Sequence, residues 1–562
     1  MSRYVTCILS GYVMFGVAGC QSGTGPVSDA RSFIREYEAR VRPVESDLSR
    51  AWWKANTSGK DEDYKAKEQI QNKLDGLLSD PAQFARLEKI RQGLAAGSDQ
   101  FEPLVARQIE VLYLVYKAKQ LDADLLKRIA AKENEVEQKF NVFRARVDGK
   151  EMTDGEVMGV LKNSKDSQYR RRVWEASKGV GAVVLADLKE LVRLRNEAAT
   201  KLGFRNFYEM QLRLAEQEPE EILRLFDELY ALTRDSFSQA KAEIDARLAA
   251  DCGVAVADLR PWHYHDRFFQ ESPTIDDVDF DAPYAKVDIA GLARTFYEGI
   301  GLPVDGILAR SDLYEKPGKC PHGFCCDIDR EGDVRILVNI VPRHDWMATV
   351  LHECGHAVYA ARNIPIGVPY VLRTPAHSFT TEGVAMMLEQ FAIRPDWMAA
   401  MGLKVADPEA AGRAGAAMKK RALLIFVAWS QVMTRFEMAM CGNPEQDLGK
   451  LWWDLVEKYQ MIKRPEGRDA PDYASKIHIC TNPCYYHNYT MGQLFASQLH
   501  ATIAREVLKT EPARALYHNR KEVGEFLTTR VFAPGSSMRW PEFVRFATGE
   551  ELSAKAFAAE AR

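Results

Sequence analysis

Two histidines four residues apart, His352 and His356 in "LHECGHAVYA" (351–360), have the spacing that lets one helix offer two imidazoles to a single metal ion. Glu353 follows the first histidine and lies one position round the helix. From there its carboxylate can act on a water at the metal without ligating, which is general-base chemistry for hydrolysis. Short motifs arise by chance, so the surroundings must decide. Catalytic zinc needs a third protein ligand and an open position for water. Glu382, 26 residues after His356, opens a second helical stretch and can complete a two-His, one-Glu set. It is equally explained as a glutamate favoured by a helix N-terminus. Glu389, seven residues further and on the same face, can orient a ligand imidazole through a hydrogen bond.

These groups need rigid elements to hold them. "MATVLHECGHAVYAARN" (347–363) is rich in helix formers and has no proline, so a helix is expected there. A breaker-rich loop, "RNIPIGVPYVLRTPAHSFTT" (362–381), separates it from the helix beginning "EGVAMMLEQFAIR". Just upstream, "GFCCDIDREGDVRILVNIV" (323–341) holds two strand-like runs around the turn-rich "DREGD" and predicts a β-hairpin. Beside a zinc helix, an edge strand can bind an extended peptide through main-chain hydrogen bonds; a hairpin that only packs is the plainer reading. Elsewhere the pattern is helical, with apolar residues at three and four in 101–121 and 220–248. "SDPAQFARLEKI" from Ser79 marks a helix start with a cap residue and an early proline. No repeat or low-complexity linker divides 29–562, which predicts one large, mostly α-helical body with a single short hairpin.

The net charge of -4 over 562 residues gives no basic excess, so a nucleic-acid partner is not expected. Past the N-terminus the longest apolar run, "ALLIFVAW" at 422–429, is far short of the roughly 20 residues that span a membrane. Residues 1–20, "MSRYVTCILSGYVMFGVAGC", read as a secretory leader, and 21–28 as a flexible tether. The ending "VAGC" resembles a bacterial lipoprotein box with Cys20 as the lipidated residue; an ordinary cleaved signal is the alternative. Both readings place the protein outside the cytoplasm, with membrane contact only through a lipid at Cys20. The eight later cysteines show no finger-type spacing, and Cys354, between the two histidines, faces away from them as a packing residue.

The His-Glu-x-x-His helix, the glutamate on the next helix and "KIHICTNPCYYHNYTMGQLFASQLH" (476–500) together resemble the angiotensin-converting-enzyme family of zinc peptidyl-dipeptidases, with the thimet oligopeptidase family a more distant relation. Matches in the same order occur at 173–204, 313–328 and 456–478. The resemblance implies a helical fold of two lobes around a deep cleft, with Zn2+ on His352, His356 and Glu382 and with Glu353 as base and proton shuttle. It places His322 and Gly323 on the strand that holds the substrate backbone, and His478 beside the scissile bond. Allowing one inserted residue, it makes Tyr489 the donor to the oxyanion, while Tyr486, with Lys476, holds the substrate's terminal carboxylate; Tyr485 competes with Tyr486 for that role. These roles suit the reaction, because charge builds on the former carbonyl oxygen and a lysine can meet a carboxylate.

Three departures qualify the likeness. The family's second carboxylate-binding group, a glutamine, has no evident counterpart in "LRPWHYHDRFFQES", where His263, Tyr264 and His265 stand near its expected place. Asn488 replaces the arginine that helps bind an activating chloride, so chloride activation is not expected. Met386 stands where an aspartate follows the glutamate ligand, leaving Glu389 to substitute for it. The sequence thus points to a zinc metallopeptidase acting on short peptides, releasing C-terminal dipeptides. An endo-acting zinc oligopeptidase is the alternative, and a non-catalytic exported peptide-binding lipoprotein the alternative of another class.

Overall fold

The computed structural model describes residues 26–96, 102–273, 275–276, 278–317, 319–320, 323–361 and 363–561. The leader, Cys20 and most of the expected tether lie outside these residues. The described chain is helical from Pro26, so residues 26–28 of the expected tether belong to the first helix, Pro26–Arg40. No described helix is long and apolar enough to cross a membrane.

Helix starts follow the local chemistry. Pro81–Ala96 opens with proline at its first position, where the missing N–H costs no hydrogen bond. Its cap is Asp80 rather than Ser79: Oδ1 of Asp80 accepts from the N–H groups of Ala82 and Gln83 at 2.9 and 3.3 Å. The two longest helices, Pro219–Cys252 and Pro408–Gly442, also begin with proline, and the second is capped by Asp407. The helices expected within 101–121 and 220–248 are present as Pro103–Lys117 and Pro219–Cys252.

Two large apolar cores hold the body. One gathers around the histidine helix, with Phe296, Tyr297, Phe379, Phe391, Trp397 and Phe495. The other is built on the long helices, with Trp174, Phe237, Trp429, Phe436, Trp452 and Tyr459. The helix Tyr486–Ile503 joins them: Tyr486 packs in the second core, Met491 and Phe495 in the first. A smaller core unites the N-terminal helices with Tyr370, Val371 and Leu372 of the loop after the histidine helix.

The expected hairpin is present, Phe324–Asp327 paired antiparallel with Val334–Leu337. A second, Ala145–Val147 with Lys150–Met152, corrects the expectation of one. Its signal was the Asp148-Gly149 pair, whose φ values of 51° and 81° make the two-residue turn that matches strand twist. Three-residue strands are too short to show alternation, so the turn was the only legible mark.

Candidate active site

The histidine helix runs His344–Ala360 and the glutamate helix Ser378–Glu389. Glycine lets them meet. A Cβ on Gly355 would stand 2.8 Å from the Ala385 Cα, one on Gly383 2.8 Å from the Gly492 carbonyl oxygen, and one on Gly492 2.9 Å from the Glu382 Cβ. Three helices therefore approach backbone to backbone, and that contact sets Glu382 across from the histidines.

The Nε2 atoms of His352 and His356 lie 3.1 Å apart, and Glu382 Oε2 is 3.6 and 3.7 Å from them. The outer nitrogens are taken: His352 Nδ1 is 2.6 Å from Glu389 Oε2, and His356 Nδ1 is 2.7 Å from Thr381 Oγ1. Each imidazole is thus held with Nε2 inward, the arrangement that orients metal-ligating histidines. The Tyr485 hydroxyl donates to Glu382 Oε1 at 3.3 Å. Thr381 and Tyr485 were missed as supports from sequence, because a lone hydroxyl beside a candidate ligand has no spacing to announce it.

The electrostatics favour a cation. Burial opposes protonation of His352, yet the Glu389 carboxylate, helped by Glu353 and Glu382, overrides it and lifts the imidazole to about 9. Burial raises the Glu382 carboxyl and pushes Glu353 up to about 7. Two imidazole nitrogens and one carboxylate oxygen within 4.8 Å of one another form a donor set suited to zinc. Glu353 is buried one position away, and a Cβ on Gly323 would come within 3.1 Å of its Oε1. Cys354 is fully buried in the core, as a packing residue. All eight described cysteines are free thiols.

A second cluster surrounds Lys476. Its Nζ donates to Gln270 Oε1 at 2.5 Å and lies 5.3 Å from the ring centres of Phe268 and Trp429 and 5.6 Å from that of Tyr486. Burial brings the ammonium down to about 8. The Tyr486 hydroxyl accepts from Trp429 Nε1 at 2.7 Å. His478 stacks edge-on to both tyrosines, with ring centres 5.2 Å from Tyr486 and 6.2 Å from Tyr489. Tyr489 in turn lines the cavity of about 560 Å³ that holds His352, Glu353, His356, Glu382 and Gly323. The lysine cluster and the histidine pocket are therefore linked through Tyr486, His478 and Tyr489. His322 lies outside the described residues.

Within the stretch that offered no evident counterpart of the family's glutamine, Gln270 is the residue that meets Lys476. His263 and Tyr264, nearer that glutamine's expected place, are engaged elsewhere: His263 Nε2 lies 2.8 Å from Ser167 Oγ, and Tyr264 donates to Asp245 at 2.9 Å. Asn488 is buried and accepts from Gln217 Nε2 at 2.8 Å, while Gln217 Oε1 lies 2.8 Å from His487 Nε2. Asn488 thus belongs to a buried network with Gln217 and His487. Met386 lines the cavity, and Glu389 holds the His352 Nδ1.

Comparison with known proteins agrees with this geometry. The family model described as angiotensin-converting enzyme matches residues 26–259 and 275–559. The lapse between them contains Gln270. Among curated relatives, the angiotensin-converting enzyme-like protein Ace3 of Mus musculus is 22% identical over 438 residues, covering 72% of this chain and 58% of its own length. Angiotensin-converting enzyme of Bos taurus is 22% identical over 433 residues, covering 70% of this chain and 32% of its own. The chain therefore spans 32–58% of the relatives' lengths. A match over nearly the whole chain, with the metal-ligand geometry on its two helices, places this chain in the angiotensin-converting enzyme family of zinc metallopeptidases.

Proposed function

We propose that the protein hydrolyses short peptides with zinc and reads their free C-terminal carboxylate, releasing dipeptides. The observation that carries this reading is the Lys476–Gln270 pair, a buried cation and an amide beside Tyr486, on the far side of Tyr489 from the histidine pocket. His352, His356 and Glu382 would hold the metal. Bound there, zinc supplies Lewis acidity, polarising a carbonyl and lowering the pKa of water to about 7.

The remaining work falls to side chains. Glu353 takes the proton of the attacking water and returns it to the departing amine, a role suited to a carboxyl raised to about 7. Tyr489, pushed up to about 12 by burial, keeps its proton and donates it as a hydrogen bond to the oxyanion, with His478 beside it. Gly323 lets the substrate backbone lie close to Glu353, since any side chain there would crowd the base. Lys476, Gln270 and Tyr486 fix the carboxylate, which sets how far the scissile bond lies from the chain end. The leader and "VAGC" support an exported, lipid-anchored location. Digestion of a mixed peptide library, with products read by mass spectrometry, tests the reading. Dipeptides from free C-termini are expected; internal fragments with no end preference would favour the endo-acting alternative.

A further inference from the structure

The strand Phe324–Asp327 pairs on one edge with Val334–Leu337, and among the described residues no strand pairs with its other edge. That free edge borders the histidine cavity, which Gly323, Phe324, Cys325 and Asp327 line. Side chains two apart on a strand share a face, so Cys325 and Asp327 look the same way, with Gly323 just before the strand. The face is that of the base: Gly323 abuts Glu353, and the Cys325 thiol is pushed well up, first by burial and next by the Glu353 charge. The opposite face packs Phe324 against Trp52 and Trp53, with ring centres at 4.3 and 6.0 Å, and so clamps the strand under the helix Arg42–Ser58. Asp327 stands four residues past Gly323, about 13 Å along the strand.

Its carboxylate is half used. Oδ1 accepts from the N–H groups of Arg330 and Asp329 at 2.9 and 3.3 Å and shapes the turn, while among the described residues no hydrogen bond reaches Oδ2. Burial pushes this carboxyl up to about 6, against the backbone hydrogen bonds and the Arg330 charge, which only partly offset it. The neighbouring cation is committed elsewhere. Arg330, held at φ 55° in the left-handed region, turns its guanidinium to Glu45 Oε1 at 3.4 Å and over the Tyr370 ring at 4.7 Å. Glu45 also takes the hydroxyls of Tyr37 and Tyr370, at 2.9 and 3.0 Å, so its charge is met. The Lys476 cluster lies beyond Tyr489 and outside this cavity, so a peptide with its carboxylate there sends its amino side along the strand toward Asp327.

We propose that Asp327 forms a subsite for a cationic group of the substrate about four residues to the amino side of the scissile bond. The inference rests on the peptidase reading above. A free terminal ammonium and a lysine side chain share this chemistry, and four peptides of one core sequence separate them. At that position they carry a free N-terminus, an N-acetylated lysine, an N-acetylated norleucine or an N-acetylated glutamate. Binding is measured by calorimetry on zinc-loaded Glu353→Gln protein, and hydrolysis on the native protein. At least one cationic peptide should bind about tenfold more tightly than the norleucine peptide, as a charge-assisted hydrogen bond gives. Which one gains names the source. Asp327→Asn keeps an oxygen for the turn and should erase the gain without weakening the norleucine peptide. Equal binding of the cationic and norleucine peptides, or tighter binding of the glutamate peptide through Arg330, overturns the proposal even if Asp327→Asn does not fold. Cleavage without charge preference removes the subsite and leaves the peptidase; charge-dependent binding with no cleavage of any peptide removes the peptidase reading and leaves the subsite.

Discussion

Lys476 Nζ and Gln270 Oε1 meet at 2.5 Å although 206 residues separate them in the chain. An ammonium this deeply buried, ringed by Phe268, Trp429 and Tyr486 and only partly offset by the charges of Asp266, Glu271 and Glu437, gains from an anion that visits it. A substrate carboxylate would be that anion. Amidating the C-terminus of a good substrate should slow kcat/KM by roughly ten- to a hundredfold, the effect of a charged hydrogen bond of about 1.5–3 kcal/mol. Lys476→Ala should slow the acid substrate and leave the amide nearly unchanged, with Gln270→Ala acting in the same direction but less. Steady-state rates on the acid and amide pair check this; equal rates in the native protein contradict it.

The same lysine predicts a pH dependence. Burial brings it to about 8 in the free protein, so it is charged below that pH and neutral above it. KM for acid substrates should therefore rise as pH passes 8, while KM for the amide should not. A parallel rise for both substrates would place the titrating group elsewhere.

Metal affinity should depend on the supports as well as the ligands. Glu382→Ala leaves two ligands and should lose most bound zinc on dialysis. Glu389→Ala frees the His352 Nδ1 and Thr381→Ala the His356 Nδ1, and each should weaken zinc by about ten- to a hundredfold. Competition against a zinc chelator measures all three.

Tyr485 and Tyr486 are adjacent but separate in the structure, one on Glu382 and the other beside Lys476. Tyr489→Phe should lower kcat by about 10²–10³ with zinc retained, as loss of an oxyanion donor does. Tyr485→Phe should instead act on zinc affinity, and Tyr486→Phe on KM for acid substrates. Kinetics and metal content, measured on each variant, distinguish the three.

Gly355→Val tests the helix contact beneath the site. Even a Cβ would fall 2.8 Å from Ala385 backbone, so the helices must part, at a cost of about 1–3 kcal/mol. Lower thermal stability should accompany weaker zinc binding, because the same contact places Glu382. Thermal melts with and without excess zinc measure both.

Much of the site was legible because it is local or regularly spaced. His352 and His356 share a helical face, Glu382 and Glu389 share another, and the turn between strands carries its own residues. Gln270 escaped because it lies in an irregular stretch, 264–270, where neither period nor motif fixes a register and the family match itself lapses. Only the buried contact with Lys476 reveals it. Thr381 and Tyr485 were hidden for a similar reason, since a hydroxyl becomes a support only when the fold brings a ligand to it. The Asp148-Gly149 hairpin shows the converse, a strong turn signal between strands too short to read.

One zinc at His352, His356 and Glu382, served by Glu353, would drive the peptide hydrolysis proposed above. This is tested most directly by measuring zinc content and peptide cleavage on the same sample, before chelation, after it and after zinc is restored, with Glu353→Gln alongside. Expected are about one zinc per chain, a rate that vanishes and returns with the metal, and a Glu353→Gln protein that keeps zinc while losing about 10²–10⁴ in rate. A rate indifferent to chelation, or a zinc-loaded Glu353→Gln protein as active as the native one, would contradict it.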